Sequence, residues 1–165
     1  MSFEPMNKIN VLFVCMGNIC RSPTAQGVFE NLVREQGLSE RIHVDSAGTH
    51  AYHIGNPPDK RSQLAALNRG IDISNQRARK VELLDFDRFD YILVMDRANL
   101  DDILRLVQRQ EQSERVHLFM KFATRWQVDE VPDPYYGGSS GFERVLDMVE
   151  DAAVGLLDHI RRYHL

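Results

Sequence analysis

Apolar residues occur along the chain in two alternating patterns. Short continuous runs are typical of buried strands, and longer stretches with apolar positions three or four residues apart are typical of helices. The first continuous run, residues 9–14, is rich in β-branched and aromatic residues and predicts a buried parallel strand. Residues 23–36 then show helical spacing, with Pro23 suited to the first turn and Gly37 to the stop. The chain therefore opens with a strand, a tight loop and a helix.

The same alternation continues to the end of the chain. Strands are expected at residues 42–45, 91–95 and, more weakly, 116–119; helices at 59–68, 98–107 and 142–160; a turn at 55–58; and an irregular segment at 128–140. Strands that alternate with helices predict right-handed crossovers and a parallel sheet covered on both faces. We therefore expect an α/β fold in three αβα layers with a four-stranded parallel sheet. Ligands should bind at the carboxyl ends of its strands.

Size and composition narrow the class of protein. A chain of 165 residues fits a single domain over residues 1–165, and 43% hydrophobic residues suffice for a folded core. The net charge of -4 argues against general nucleic-acid binding, which depends on neutralising phosphates. The longest apolar run, residues 11–16, is too short to span a bilayer, and the acidic start of the chain does not resemble a signal peptide. These features predict a cytoplasmic protein with no membrane insertion.

The segment Cys15-Met16-Gly17-Asn18-Ile19-Cys20-Arg21-Ser22 lies between the first strand and the first helix and contains both cysteines of the chain. A cysteine six positions before an arginine is a weak signal by itself, so the position of the segment supplies the specificity. Gly17 and Asn18 can adopt a positive φ, and the loop leads its backbone amides into a helix N-terminus. The segment therefore predicts a cradle for an anion, which would be a phosphate-binding loop after strand 1.

Such a cradle would favour nucleophilic chemistry. Inward-facing amides and the helix dipole should stabilise the thiolate of Cys15. Arg21 could bind two phosphoryl oxygens through its planar guanidinium, and Ser22 could donate a hydrogen bond to the thiolate. The alternative interpretation makes Cys15 a buried residue at a strand end and Arg21 a surface charge. The loop by itself leaves both interpretations open.

The loop resembles the signature of the low-molecular-weight protein tyrosine phosphatases, including its second cysteine and the Ser-Pro that opens the helix. Further segments similar to that family follow in order over nearly the whole chain: residues 45–48 (DSAG), 55–59 (GNPPD), 90–96 (DYILVMD) and 133–137 (DPYYG). The resemblance implies hydrolysis of phosphotyrosine through a phosphocysteine on Cys15, with no cofactor and no metal. Asp133 would be the general acid and then the general base. Release of a tyrosyl oxygen needs a proton donor, and the same carboxylate can then activate the water that hydrolyses the phosphocysteine. Taken alone, an Asp-Pro pair more often starts a turn.

The resemblance also assigns supporting roles. The loop residues Met16, Gly17, Asn18, Ile19, Cys20 and Ser22 would bind the phosphate; Tyr52, Tyr135 and Tyr136 would wall the pocket; and Asn18, Ser22, Ser46 and Asp96 would hold the loop in shape. The three tyrosines could instead be half-buried packing residues. Two positions depart from the family pattern: Gln76 stands where relatives often have a histidine, and His53 where mammalian members often have an acid. A glutamine cannot become charged, so it cannot supply the pH-dependent charge that a histidine would have at this position.

Other classes of protein could use a similar cysteine loop. An arsenate reductase of the thioredoxin-coupled type needs further redox cysteines, and the chain has none after Cys20. Relatives that dephosphorylate arginine carry a threonine where this chain has Ile19, which favours phosphotyrosine here. A catalytically silent phosphotyrosine-binding module would lack the nucleophile or the acid.

The resemblance also suggests partners and a form of redox control. Phosphotyrosine-containing proteins would be the substrates. The bacterial character of residues 131–134 (VPDP) suggests a tyrosine kinase of polysaccharide export as a partner. The proximity of Cys20 to Cys15 in sequence suggests a reversible disulfide that protects the nucleophile.

Overall fold

The computed structural model describes residues 8–136 and 138–165. Its centre is a parallel sheet of four strands in the order β2–β1–β3–β4, where β1 is Ile9–Cys15, β2 is Ile42–Gly48, β3 is Tyr91–Val94 and β4 is Val116–Leu118. The predicted α/β class and four-stranded parallel sheet are confirmed. β2 runs three residues further than expected, because the small residues at positions 46–48 carry no strand pattern yet pair with β1 at positions 13–15.

In the part of the chain that the structure describes, six helices surround the sheet. They are α1 (Arg21–Glu35), α2 (Lys60–Leu67), α3 (Asp85–Arg88), α4 (Arg97–Leu106), α5 (Gln110–Ser113) and α6 (Gly141–His164). Short 3-10 helices lie at Phe119–Phe122, Pro134–Tyr136 and Gly138–Ser140, the last two inside the segment expected to be irregular. Sequence periodicity did not predict α3, α5 or the 3-10 helices, since a segment of three or four residues is too short to show a period.

Two apolar layers hold the helices against the sheet. Val11 and Phe13 of β1 face a cluster that includes residues of α1, α2 and α6. Leu12 of β1 faces the opposite cluster, which includes Phe86 of α3 and Ile103 of α4. Alternate residues of one buried strand thus pack in opposite directions, as the pleat of a strand requires. The result is the expected three-layer αβα arrangement.

This architecture places one loop at the carboxyl edge of the sheet. β1 ends at Cys15 and α1 begins at Arg21, so the intervening residues must turn sharply above the strand ends. The last residue of β2, Gly48, lies directly beside them: a Cβ at this position would come within 2.8 Å of the Met16 carbonyl oxygen and 3.2 Å of the Asn18 amide nitrogen. Only a glycine lets β2 approach the loop this closely. The predicted ligand-binding edge therefore coincides with the cysteine loop.

Within residues 8–136 and 138–165, no helix combines the length and the apolar character needed to cross a membrane.

Candidate active site

The loop between β1 and α1 has the backbone of an anion cradle. Asn18 has a φ of 58°, in the left-handed region that non-glycine residues rarely adopt. Gly17 does not have a positive φ, so the expectation for that residue is wrong. A small residue is needed at Gly17 for a different reason, because a Cβ there would lie 3.0 Å from the ring of His53. The turn at Asn18 directs its backbone N–H inward.

Cys15 lies at the base of this cradle. Its Sγ accepts a hydrogen bond from the Asn18 backbone N–H at 3.3 Å and lies 3.0 Å from the Ser22 hydroxyl. The residue is only 3% exposed. The sulfur therefore sits among hydrogen-bond donors and next to the first turn of α1, an environment that favours a negatively charged sulfur or a bound anion.

The direction of the Ser22 hydrogen bond follows from the bonds around Asn18. The Arg79 backbone N–H donates to Asn18 Oδ1 at 3.0 Å, which fixes the orientation of the side-chain amide. Asn18 Nδ2 carries two hydrogens and donates to Ser22 Oγ at 2.8 Å and to Ser46 Oγ at 2.9 Å. Because Ser22 Oγ accepts from Asn18, its own hydrogen is available to the sulfur of Cys15. The network thus makes Ser22 a donor to the sulfur of Cys15.

The network extends to a residue that the sequence did not indicate. Ser46 donates to Gln26 Oε1 at 2.6 Å, and Gln26 donates to Glu30 Oε1 at 2.6 Å. Gln26 lies one helical turn after Ser22 on α1, and that spacing is the only sequence signal for it. Gln76, in contrast, donates to the carbonyl of Pro23 at 3.0 Å and makes no bond to Ser46. Among the described residues, the buried Oε1 of Gln76 has no hydrogen-bond partner.

Arg21 is held in a fixed orientation at the start of α1. Its side chain is almost fully buried, and Nη1 donates to Asp96 Oδ2 at 2.6 Å and to the Val131 carbonyl at 3.0 Å. Asp96 is itself fixed as the N-cap of α4, where it accepts from the Asn99 N–H at 2.8 Å. Burial alone would lower the pKa of Arg21, but attraction to Cys15, Asp96 and Asp133 raises it above the usual value.

This arrangement leaves part of Arg21 available. Within the described part of the chain, its Nε and Nη2 atoms donate to no protein group. These atoms form one edge of the planar guanidinium and match two oxygens of a tetrahedral anion. Arg21 can therefore keep its fixed position through Nη1 while it binds an anion through the opposite edge.

Asp133 lies on a segment tied to the same edge of the sheet. The Val131 N–H donates to the Met95 carbonyl at 2.8 Å, which continues the line of β3 and anchors the segment. Asp133 is half-buried and accepts from the Tyr135 backbone N–H at 3.0 Å, as turn-forming aspartates often do. Its carboxylate is close enough to Arg21 to contribute to the raised pKa of that residue. The turn interpretation of Asp133 is therefore confirmed, and its role as general acid stays a prediction.

Tyr135 connects this segment to the loop through Asp59. The Tyr135 hydroxyl donates to Asp59 Oδ2 at 2.9 Å, and the Asp59 backbone N–H donates to the Ile19 carbonyl at 2.8 Å. The Arg61 guanidinium lies 4.6 Å from the centre of the Tyr135 ring. Burial and the bond to Asp59 raise the pKa of the Tyr135 hydroxyl. The side chain of Tyr136 lies outside the part of the chain that the structure describes.

The remaining predicted residues differ in how much of their side chains is exposed. Tyr52 is 67% exposed and stacks on His50 with ring centres 5.2 Å apart. Met16 is exposed, whereas Ile19 is half-buried and packs against the large apolar cluster. Cys20 is buried, and burial raises the pKa of its thiol to about 11. Both cysteines are free thiols, so the protective disulfide stays a prediction.

The site has no evident metal centre. In residues 8–136 and 138–165, no group of three or more histidine, cysteine, aspartate or glutamate side chains is placed to hold a metal ion. The donors around Cys15 are amides, a hydroxyl and a guanidinium, which bind anions rather than cations.

Comparisons with known proteins agree with this geometry. A sequence model of the family "Low molecular weight phosphotyrosine protein phosphatase" matches residues 10–164. A protein of that description from Schizosaccharomyces pombe is 48% identical over 135 residues, which cover 81% of this chain and 85% of the relative. The low-molecular-weight protein-tyrosine-phosphatase YfkJ of Bacillus subtilis is 38% identical over 154 residues, 93% of this chain and 97% of YfkJ.

Solved structures show the same similarity. The crystal structure of YfkJ superimposes with a TM-score of 0.90 and 36% identity, covering 96% of this chain and 99% of the other. A Drosophila arginine phosphatase superimposes with a TM-score of 0.84 and 30% identity, covering 92% of this chain and 97% of the other. With the family match over residues 10–164, these findings show that the chain belongs to the low-molecular-weight phosphotyrosine protein phosphatases, a family of hydrolases with bacterial and eukaryotic members.

Proposed function

We propose that this chain hydrolyses phosphotyrosine in proteins through a phosphocysteine intermediate on Cys15. The observation that carries the proposal is the position of the Cys15 sulfur, which lies within hydrogen-bond distance of the Asn18 N–H and the Ser22 hydroxyl in a loop that ends at Arg21. A sulfur surrounded by donors is stabilised as a thiolate, and the same donors can bind the oxygens of a phosphoryl group.

In the first step, the Cys15 thiolate attacks phosphorus and the bond to the tyrosyl oxygen breaks. The free edge of Arg21 holds two phosphoryl oxygens while charge develops on them. Asp133, in its protonated form, gives its proton to the departing phenolate oxygen. The products of this step are tyrosine and phosphocysteine.

In the second step, a water molecule attacks phosphorus and the phosphorus–sulfur bond breaks. The Asp133 carboxylate accepts the proton of that water, which returns the acid to its starting form. The departing sulfur leaves as a thiolate, and the Ser22 hydroxyl stabilises it because the Asn18 network directs its hydrogen there. Inorganic phosphate and the free enzyme result.

The first prediction concerns the nucleophile. We expect Cys15→Ser to abolish hydrolysis of an aryl phosphate, because a serine hydroxyl at this position cannot form the phosphocysteine. Phosphate should still bind, since the loop amides and Arg21 remain, and titration calorimetry with inorganic phosphate provides the control for folding. Hydrolysis by Cys15→Ser at the rate of the parent protein would contradict the mechanism.

The second prediction concerns the acid. We expect Asp133→Ala to slow formation of the phosphocysteine by about 10²-fold or more when the leaving group is a basic phenolate, and much less when the leaving group needs no proton. The measurement is kcat/KM for a series of aryl phosphates of different leaving-group basicity, because kcat/KM reports formation of the phosphocysteine and not its breakdown, in which Asp133 acts as the base. Asp129→Ala is the matched control, because Asp129 lies on the same segment but pairs with the exposed Arg97. Equal losses across the series would remove Asp133 from the acid role.

The choice of substrate rests on the residues at the loop opening. The exposed rings of Tyr52 and Tyr135 offer apolar faces to an aromatic side chain. Ile19 offers no hydrogen bond, so the polar N–H groups of a phosphoarginine would lose water there without a replacement partner. Phosphoserine is shorter than phosphotyrosine and would bring its phosphorus less readily to Cys15. We propose phosphotyrosine as the preferred substrate, although a structural relative is an arginine phosphatase.

The third prediction tests this preference with matched peptides that carry phosphotyrosine, phosphoserine or phosphoarginine. We expect kcat/KM for phosphotyrosine to be the highest by at least roughly tenfold, about 1.4 kcal/mol. Ile19→Thr should narrow the gap between phosphotyrosine and phosphoarginine, because a hydroxyl supplies the missing partner. A higher kcat/KM for phosphoarginine in the parent protein would overturn the assignment.

Cellular partners and compartment belong to the same proposal. Phosphotyrosine-containing proteins in the cytoplasm, among them a tyrosine kinase of polysaccharide export, would be the substrates. Support comes from residues 131–134 (VPDP), which resemble the corresponding segment of bacterial members of the family.

A further inference from the structure

One buried carboxylate takes no part in the proposed mechanism. Asp85 of α3 is 2% exposed and accepts two hydrogen bonds from the Arg79 guanidinium, at 2.9 and 3.2 Å, and one from the Glu82 backbone N–H at 2.8 Å. Arg79 also donates from Nε to Asp45 Oδ2 at 3.2 Å. Partial burial alone would lower the pKa of Arg79, but the bonds and charges of Asp85 and Asp45 raise it. The Arg79 side chain is thus clamped by two carboxylates.

The backbone of Arg79 points the other way, toward the catalytic loop. Its N–H donates to Asn18 Oδ1 at 3.0 Å, and its carbonyl accepts from the Gly48 N–H at 2.8 Å. The Val81 N–H donates in turn to the Gly48 carbonyl at 2.9 Å, so the segment runs alongside the end of β2. The same residue therefore links the buried ion pair on one side to the Asn18 amide on the other.

We propose that the Asp85–Arg79 ion pair is a remote positioning device for catalysis. It fixes the backbone of Arg79, whose N–H sets the orientation of the Asn18 amide. That orientation leaves the Ser22 hydroxyl as a donor to the Cys15 sulfur. Asp85 and Arg79 are positioning residues, because neither contacts the sulfur. The inference rests on the proposed function, in which Ser22 stabilises the departing thiolate.

Removing the charge of Asp85 should weaken the connection that runs from Asp85 through Arg79 to the Asn18 amide, without creating a cavity. An asparagine has nearly the same shape, but it places an amide NH₂ where a carboxylate oxygen faced the guanidinium, and both groups are donors. Arg79 is partly exposed and can then turn toward solvent. The side chain keeps its bond to Asp45 and the backbone keeps its bond to Gly48, but the buried carboxylate that held the guanidinium is lost. The Arg79 N–H can then shift relative to Asn18 Oδ1, which weakens the restraint on the Asn18 amide.

The fourth prediction uses kcat for an aryl phosphate with a good leaving group, chosen because a pre-steady-state burst of the released phenolate shows that breakdown of the phosphocysteine limits its turnover. We expect Asp85→Asn to lower kcat by about tenfold or more. Asp87→Asn is the matched control, since Asp87 lies on the same helix and pairs with Arg109, remote from Asn18. It should stay within about twofold of the parent.

The decisive comparison is a double-mutant cycle with Ser22→Ala. If Asp85 acts through Ser22, kcat of the double variant should lie within about twofold of Ser22→Ala alone. If Asp85→Asn instead acted through a general loss of stability, the fold-losses in kcat of the two single variants would multiply in the double variant. Urea unfolding checks that each variant is folded, and Arg79→Lys serves in the same cycle if Asp85→Asn does not fold.

Two results would overturn the inference: a folded Asp85→Asn protein with the kcat of the parent, or effects that multiply with Ser22→Ala. The failure of the proposed function would look different, because the parent protein would then show no hydrolysis that depends on Cys15.

Discussion

The left-handed backbone of Asn18 is the constraint on which the site depends. With a φ of 58°, this residue turns its own N–H toward the Cys15 sulfur, and its side chain bonds Ser22, Ser46 and the Arg79 backbone. An unusual backbone conformation persists only where its surroundings fix it. The side-chain bonds of Asn18 supply that restraint from α1, β2 and the segment beside β2. These bonds hold the loop in a conformation suited to an anion, and electrostatic catalysis requires donors that are fixed in this way.

A second set of contacts joins the loop after β1 to the segment that carries Asp133. Arg21 donates to Asp96, which follows β3, and to the carbonyl of Val131, which precedes Asp133 by two residues. The Val131 N–H donates to the carbonyl of Met95 at the end of β3. One buried guanidinium thus connects the loop after β1 with the segment that carries the proposed acid. Parallel strands make this possible, since their carboxyl ends share one edge of the sheet.

The sequence predicted the parts of this site that depend on local order. Cys15 and Arg21 could be placed because a buried strand, a short loop and a helix follow one another directly. The contacts of Arg79 and Gln26 could not be predicted, because they depend on how distant segments pack: Arg79 is 61 positions from Asn18.

The expected positive φ at Gly17 was wrong for a similar reason. A small residue is needed there because of the nearby ring of His53, which is distant in sequence. The sequence did not indicate a role for Asp85, because a single carboxylate in a helix of four residues has the pattern of a surface residue.

We propose that phosphorus is transferred to the sulfur of Cys15. The most direct test is rapid acid quenching of the enzyme during turnover of a ³²P-labelled aryl phosphate, followed by peptide mapping and ³¹P NMR of the trapped protein. We expect label on the peptide that contains Cys15 and a phosphorus resonance typical of a phosphorothiolate. Label on another residue, or turnover without any labelled enzyme, would contradict it.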